Sequence, residues 1–560
     1  MQKKLLPIFI GLLVFTLNSA RAVPAYPGLI EYAQPDGSII EVSLVGDENC
    51  HYYISADGQY LMPDASGMLQ PVDSNKFAAR KKNLRQRSPK LPVRALNGSL
   101  QKKGNYLYSE ASFPLKGETK TVVVLVDYPD VKFSMDDPYS YFDDFLNGEE
   151  FRADNATGSC RQFFIDNSNG IFMPHFDLYG PVTMKYKRDH YGKNDADGND
   201  EFAHEMVIEA VEALDDTVDF SQYDLNGDGL VDNIYIIYAG RGEADGGGSN
   251  TVWPYSWELL LDGVELKVDG VTINSYGVSN EVNRNNVPAG IGTFVHEFGH
   301  VLGFPDIYNT VNPYGQKTPG SWSTMDQGSY NNDSRTPPNL SAFERYSLGW
   351  TEPEWLCVSG LYSLLPMSES GNSFIFESEE NPDEFFILEN RQLSGWDAYL
   401  PHHGMLVWHI NFKQETWDYN SVNDDPNDLG VDLVRADNTW NSSTYPGDPF
   451  PGLNKVTTFS NVTHPSLLTH SGQLLNVRSI SDIKEDKGVV TFKAHLNEER
   501  AGITTPQSQT HIKLIGRTVY SDVDTPIFNL SGIPVGTATK EGLLLPPGLY
   551  ITPSKKLLIP

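Results

Sequence analysis

The apolar positions of this chain change their rhythm three times, and each change predicts a different kind of element. "TKTVVVLVDYPD", Thr119 to Asp130, is a continuous β-branched run closed by Asp and Pro, the pattern of a strand buried on both faces. "NIYIIYAG" reads the same way. Between them the spacing becomes helical in "SCRQFFIDNSNG", which ends in Asn-Gly, and in "NDEFAHEMVIEAVEALDD", whose expected cap is Asn199 or Asp200. After Trp355 short apolar runs such as "EFFILENRQ", "GMLVWHINF", "GVDLVRAD" and "GVVTFKAHL" alternate with polar turns, which predicts an antiparallel β-sandwich. Near the amino end, "PDGS", "ADGQ" and "DASG" punctuate short strands, a small unit of its own.

These shifts divide the 560 residues into segments. Residues 1–22 read as a signal peptide: Lys3 and Lys4, an apolar core "LLPIFIGLLVFTL", and "ARA" as the cleavage site before Val23. Residues 23–75 form the small amino-terminal unit, 76–115 a basic linker, 116–355 an α/β (α+β) domain, 356–498 the sandwich and 499–560 a Pro/Gly-punctuated, strand-rich end. No other run reaches membrane-spanning length.

Charge sharpens this picture. The net charge is −31, yet Lys76 to Lys103 carries ten Lys or Arg and no acid. An acidic body argues against nucleic acid as a partner and favours cations. A basic stretch without interleaved aromatics reads as a protease-sensitive connector, so the amino-terminal unit is expected to be a propeptide. The three cysteines, Cys50, Cys160 and Cys357, allow at most one bridge. Cys50 is a weak candidate for capping a metal in a latent form.

The chemistry concentrates in "GIGTFVHEFGHVLGFPDIYN", Gly290 to Asn309. Positions four apart share a helix face, so His296 and His300 can reach one Zn2+ ion. Glu297 lies about 100° further round, placed to act on water rather than on the ion. HExxH alone arises by chance in roughly a few per cent of chains this long, so the residues after it decide. Gly303 permits a positive-φ turn, Pro305 stops the helix, and Asp306 can return as a third, carboxylate ligand. Gly299 inside the helix implies a close neighbour. Downstream, Met325 in the polar turn "PGSWSTMDQGSYNN" completes a metzincin-like layout.

Together with "FFIDNSNGIFMPHFDLYGPV", "AGRGEADGGG", "WPYSW", "SAFERYSLGW" and "LENRQLSGWDAYLPHHGMLVWHI", these motifs resemble the M6 (immune inhibitor A-like) secreted zinc metallopeptidases of Bacteroidetes type. The resemblance implies Zn2+ on His296, His300 and Asp306, with Glu297 as general base. It implies hydrolysis of extracellular protein or peptide substrates by a secreted or cell-surface endopeptidase made as a zymogen. Two other readings stand beside it: an inactive surface binding protein or adhesin, and a zinc amidohydrolase acting on a cell-wall amide.

A second metal pattern is independent of the first. "DLNGDGLVD" sets Asp224, Asn226, Asp228, the Leu230 carbonyl and Asp232 at calcium-loop spacing, with a strand where an EF-hand has its second helix. The competing reading is a plain Asp/Asn/Gly turn. Tyr330 is a candidate for steadying an oxyanion, and Glu243 and Asp245 for lining a site. His204 and Glu205 read as ordinary surface, and His402, His403 and His409 as surface or packing. The last segment resembles a carboxyl-terminal sorting domain, which implies outer-membrane secretion machinery as a partner.

Overall fold

The computed structural model describes residues 21–560 apart from 49–50, 65, 74–99, 104–105, 110, 196–197, 312–316, 379, 497–511, 516, 522–523, 530–533, 553–555 and 560. Cys50, most of the signal peptide and most of the basic linker therefore lie outside the described residues. The chain forms two compact units, residues 1–497 and 498–560.

The first unit is built on a six-stranded sheet. Its strands are β1 (Arg21–Ala22), β2 (Gly117–Asp127), β3 (Phe172–Thr183), β4 (Ile234–Arg241), β5 (Tyr255–Glu258) and β6 (Ser275–Val282), in the order β1-β5-β6-β4-β2-β3. Strands β3, β2, β4 and β6 run parallel, whereas β5 is antiparallel to β6 and β1 is antiparallel to β5. The continuous apolar run of β2 has a simple cause. Val123 and Leu125 join the core on one face, and Val122, Val124 and Val126 join the core on the other.

Helices pack on both faces. Helix α1 (Cys160–Asn167), capped by Ser159, and helix α3 (Gly292–Val301) share the first core, and α2 (His204–Leu214) the second. Helix α2 starts after Ala203, with no side-chain cap, rather than at Asn199 or Asp200. Asp200 instead accepts the Trp253 backbone N–H at 2.8 Å, a tertiary contact that removes it from the helix start.

Residues 354–496 form two further sheets. Five strands, among them Phe374–Glu377, Glu384–Arg391 and Gly404–Asn411, make one; Gly360–Leu364, Val489–Leu496, Val477–Asp486 and Phe459–Ser460 make the other. Strand alternation sorts the five-stranded sheet onto two cores. Phe386, Leu388, Met405 and Val407 meet Phe459, Ile480 and Phe492 of the four-stranded sheet, while Ile387, Leu406, Trp408 and Ile410 join the core that holds α3. The apolar core is thus continuous across residue 355. At this junction Arg391 pairs with Glu389 at 3.0 Å and with Asp397 at 2.5 Å, all three buried. Helix α4 (Ala342–Ser347) begins there with a capping box between Ser341 and Glu344.

Residues 29–71 form a five-stranded antiparallel sheet from Leu29–Ala33 to Leu69–Pro71. Its Ile30, Tyr32, Val42 and Leu44 enter the core beneath the main sheet. The second unit, described by itself, has a three- and a four-stranded sheet around Val519, Ile527, Ala538 and Leu545. Among the described residues, no helix is long and apolar enough to cross a membrane.

Candidate metal centre and catalytic cleft

Helix α3 is fixed by aromatic packing. Phe298 is fully buried and sits 5.3 Å, ring centre to ring centre, from each of Phe113, Phe164 and Phe176. A Cβ on Gly299 would lie 2.6 Å from Met325 Sδ, so the glycine exists to let that methionine in. Gly303 ends the helix at φ +97°, a conformation costly for any residue with a Cβ. The chain then turns back, and Asp306 arrives beneath the two histidines.

His296, His300 and Asp306 each offer a ligand atom, all within 4.8 Å of one another, and all three are buried. Asp306 Oδ1 lies 3.1 Å from His296 Nε2 and 3.4 Å from His300 Nε2. Each Nδ1 is 2.8 Å from a backbone carbonyl, of Thr324 for His296 and of Phe304 for His300. A carbonyl only accepts, so each Nδ1 carries a proton and each Nε2 faces Asp306, to which it donates when protonated and beside which it would offer its lone pair to a bound metal. Asn420 clamps the aspartate: its Oδ1 accepts the Asp306 N–H and its Nδ2 donates to Oδ2, both at 2.7 Å. This leaves Oδ1 for the histidines.

Glu297 is fully buried beside them. Its Oε1 accepts the Val23 N–H at 2.7 Å, and its Oε2 has no hydrogen-bond partner among the described residues. Burial, only partly offset by the charge of His296, pushes its carboxyl up to about 8. Burial disfavours charge on His296, but Asp306 and Glu297 outweigh this and raise it to about 9. Burial works on Asp306 too, yet the two imidazoles hold it well below the carboxylate range. Asp47 and Glu48, also buried, approach from the amino-terminal sheet, and burial together with the neighbouring acids raises Glu48 strongly. Two inward-facing imidazole Nε2 atoms among buried carboxylates form a nitrogen and oxygen donor set suited to Zn2+.

Residues 115–352 match the family model for the immune inhibitor A peptidase M6 catalytic domain. These residues form an M6-family metallopeptidase domain. Immune inhibitor A of Bacillus thuringiensis subsp. alesti is 28% identical over 253 residues, 38% of this chain and 36% of that protein. The pre-pro-metalloprotease PrtV of Vibrio cholerae serotype O1 is 27% identical over 254 residues, 38% of this chain and 28% of its own length. The match thus spans little more than a third of the Bacillus relative and little more than a quarter of the Vibrio relative.

Other sequence candidates fall inside the M6 domain with different surroundings. In the Asp224–Asp232 loop, Asp224 accepts the N–H groups of Gly227, Asp228 and Gly229, and Asp228 that of Leu230. Asn226 accepts from Asp228, and Asp232 Oδ2 from Leu225. Asp232 is 3% exposed and its Oδ1 has no hydrogen-bond partner among the described residues. Burial, with Asp228 and Asp224 adding, raises its carboxyl to about 7. Glu243 and Asp245 are buried rather than solvated: Glu243 meets His51 at 3.3 Å, and Asp245 accepts from Asn280. Glu205 pairs with His190 at 2.7 Å. Met325 is buried under α3, and Tyr330 donates to the Pro24 carbonyl.

A second cluster lies outside the M6 domain. Glu384, His409 and His470 also bring ligand atoms within 4.8 Å. His409, expected as a surface or packing residue, packs: it is buried, stacked on Phe386 and bonded to Glu384 at 2.8 Å. Asn420, Tyr308 and Trp253 are not marked as site residues by the sequence pattern. Asn420 carries no local pattern that ties it to residue 306, 114 positions away. Tyr308 stands two residues after Asp306 and was reachable from the motif.

Proposed function

We propose that this chain is a secreted, zinc-dependent endopeptidase made as a latent precursor, with Zn2+ held by His296, His300 and Asp306 and with Glu297 as general base. The observation that carries the reading is the convergence of two carbonyl-anchored imidazoles and one clamped carboxylate oxygen beside the buried Glu297. Zn2+ bound there supplies Lewis acidity, lowering the pKa of water and polarising a peptide carbonyl.

The chain's own residues do the rest. Thr324 and Phe304 fix the tautomers, and Asn420 leaves one aspartate oxygen for binding. Glu297, buried beside the metal position, is placed to accept a proton from water and pass it to a leaving amine. The nitrogen of Val23, 2.7 Å from Oε1, marks a position from which an amine can take that proton. Tyr330 is the candidate for steadying the oxyanion, and Met325 floors the site.

The mostly parallel sheet with one antiparallel edge, and a zinc helix above a methionine turn, support a metzincin-like domain at 116–355. The paired sheets at 356–498 support the β-sandwich reading. Residues 1–22 are proposed as the signal peptide, 23–75 as the propeptide, 76–115 as the activation linker and 499–560 as a sorting segment engaging outer-membrane secretion machinery. The name of the Vibrio relative, a pre-pro-metalloprotease, supports a precursor form. Structural Ca2+ in the loop of Asp224, Asn226, Asp228, Leu230 and Asp232 is supported by the buried, unbonded Asp232 Oδ1.

An assay of the purified protein on casein beside peptidoglycan, with and without chelator, tests the reading. Chelator-sensitive casein cleavage is expected. Activity on peptidoglycan alone would favour the amidohydrolase, and inactivity on both the binding protein.

A further inference from the structure

The segment that carries Asp306 has no secondary structure of its own. Phe304 to Asn309 are buried yet belong to no helix or strand, so their backbone groups need partners from elsewhere. Ile307 N–H donates to the Met325 carbonyl at 3.1 Å. Other partners come from residues 420–424, beyond the match to the M6 model, which ends at residue 352. Asn420 grips both the N–H and the carboxylate of Asp306. Asn423 Nδ2 donates to the Ile307 carbonyl at 2.7 Å. Asn309 Nδ2 donates to the carbonyls of Asn423 and Asp424 at 2.9 and 3.0 Å. Asp424 Oδ1 accepts the Thr310 N–H at 3.0 Å and its hydroxyl at 2.8 Å.

The loop is in turn part of the paired sheets. The second amide hydrogen of Asn423 goes to the Val431 carbonyl at 2.8 Å, and its Oδ1 accepts the Val431 N–H at 3.1 Å. Strand Val431–Leu433 pairs with Gly404–Asn411, and the Gly430 carbonyl accepts the Asn411 N–H at 2.8 Å. Trp417 and Val422 anchor the loop in the core shared with α3. Asn423 is fully buried, so one side chain bridges the ligand segment and a strand of those sheets. The same region reaches the methionine turn. Arg435 Nη2 donates to the Thr318 carbonyl at 2.6 Å, and Trp322 Nε1 donates to Asp448 at 2.8 Å. Thr324, just beyond Trp322, supplies the carbonyl that orients His296.

We propose that residues 420–431 are a working part of the metal centre, with Asn423 and Asp424 as positioning residues that set the affinity for Zn2+ by holding the Asp306 segment. This rests on the zinc reading above. Binding needs Asp306 Oδ1 beside the two imidazoles, and a segment that samples other conformations loses affinity in proportion to the time it spends misplaced. The loop removes that freedom from outside the matched domain. Asn420 holds the carboxylate itself; Asn423, Asn309 and Asp424 hold the backbone that delivers it. The catalytic unit therefore runs on through the paired sheets rather than ending at residue 352, and changes in that region alter the metal site without touching a bound peptide.

The test uses the full-length chain, with Zn2+ affinity read by competition with a chelating dye and folding read separately by the melting transition. Asn423→Asp keeps the shape but loses both amide donors. Asp424→Ala loses the acceptor for Thr310, and Asp424→Asn keeps that oxygen. Phe459→Ala, in the core of the paired sheets remote from α3, is the control for lost stability alone. Affinity should fall roughly tenfold to a hundredfold in Asn423→Asp and less in Asp424→Ala, the range for residues that orient metal ligands. Asp424→Asn should restore it, and Phe459→Ala should lower the melting temperature without moving it. Folded Asn423→Asp and Asp424→Ala that bind Zn2+ as tightly as the wild type overturn the proposal. So does a Phe459→Ala chain that loses as much affinity as they do. If Asn423→Asp does not fold, the two Asp424 variants decide. A wild type that binds Zn2+ no more tightly than His300→Ala fails the zinc reading itself, and the positioning role goes with it.

Discussion

Two clusters in this protein hold the same chemical parts, two histidines and one carboxylate, within 4.8 Å, and they are organised differently. At His296, His300 and Asp306, both Nδ1 atoms are committed to backbone carbonyls, and both Nε2 atoms point at one carboxylate oxygen. At Glu384, His409 and His470, the His409 Nε2 itself bonds the glutamate, and His470 is exposed and supplies its backbone N–H to the same oxygen. The first cluster has its aspartate clamped by Asn420 and a buried glutamate beside it; the second is a strand-to-strand hydrogen bond with a neighbouring imidazole. Ligand identity alone does not distinguish them. The atoms that fix tautomer and orientation do.

The largest effect should come from removing one imidazole on each side. His300→Ala should abolish zinc binding and peptide hydrolysis, whereas His470→Ala should leave one zinc per chain and an unchanged rate. Metal analysis of both purified variants checks this, and loss of zinc on His470→Ala would erase the contrast.

Packing holds the first cluster in place, so its helix should be sensitive. Phe298→Ala removes a fully buried ring with four aromatic neighbours and should cost about 3–5 kcal/mol, read as a lowered urea midpoint. Asn420→Ala should weaken zinc affinity roughly 10–100-fold by freeing Asp306, measured by competition with a chelating dye. An unchanged affinity would make the clamp incidental.

The smallest effect separates the pH dependence of folding from that of the site. Burial raises Glu344, far from both clusters in sequence, to about 7 despite its bonds to Ser341. Its ordinary pKa is lower, so the stability it contributes is present below about 4.5 and is lost as pH rises through about 7. Glu344→Gln should flatten that part of a thermal-stability profile between pH 5 and 8 without moving the pH profile of hydrolysis.

Much of the site was legible because its geometry is local. Helix periodicity brings His296 and His300 to one face, and Gly303 with Pro305 forces the turn that returns Asp306. The buried runs of β2 and β4 were legible for the same reason, as uninterrupted β-branched residues. What escaped was long-range. Asn420 reaches Asp306 from 114 residues away, Val23 reaches Glu297 from 274, and Trp408 shares a core with α3 across the expected domain boundary. No periodicity encodes such contacts. The start of α2 was misplaced because a tertiary bond to Trp253 claimed Asp200.

The central claim is that Glu297 moves the proton while the histidines and Asp306 hold the metal. Measuring zinc content and peptide hydrolysis together on Glu297→Ala, in the linker-cut protein, tests it most directly. Retained zinc with hydrolysis lowered on the order of 10²–10⁴-fold is the expected result. Full activity with zinc bound would contradict it.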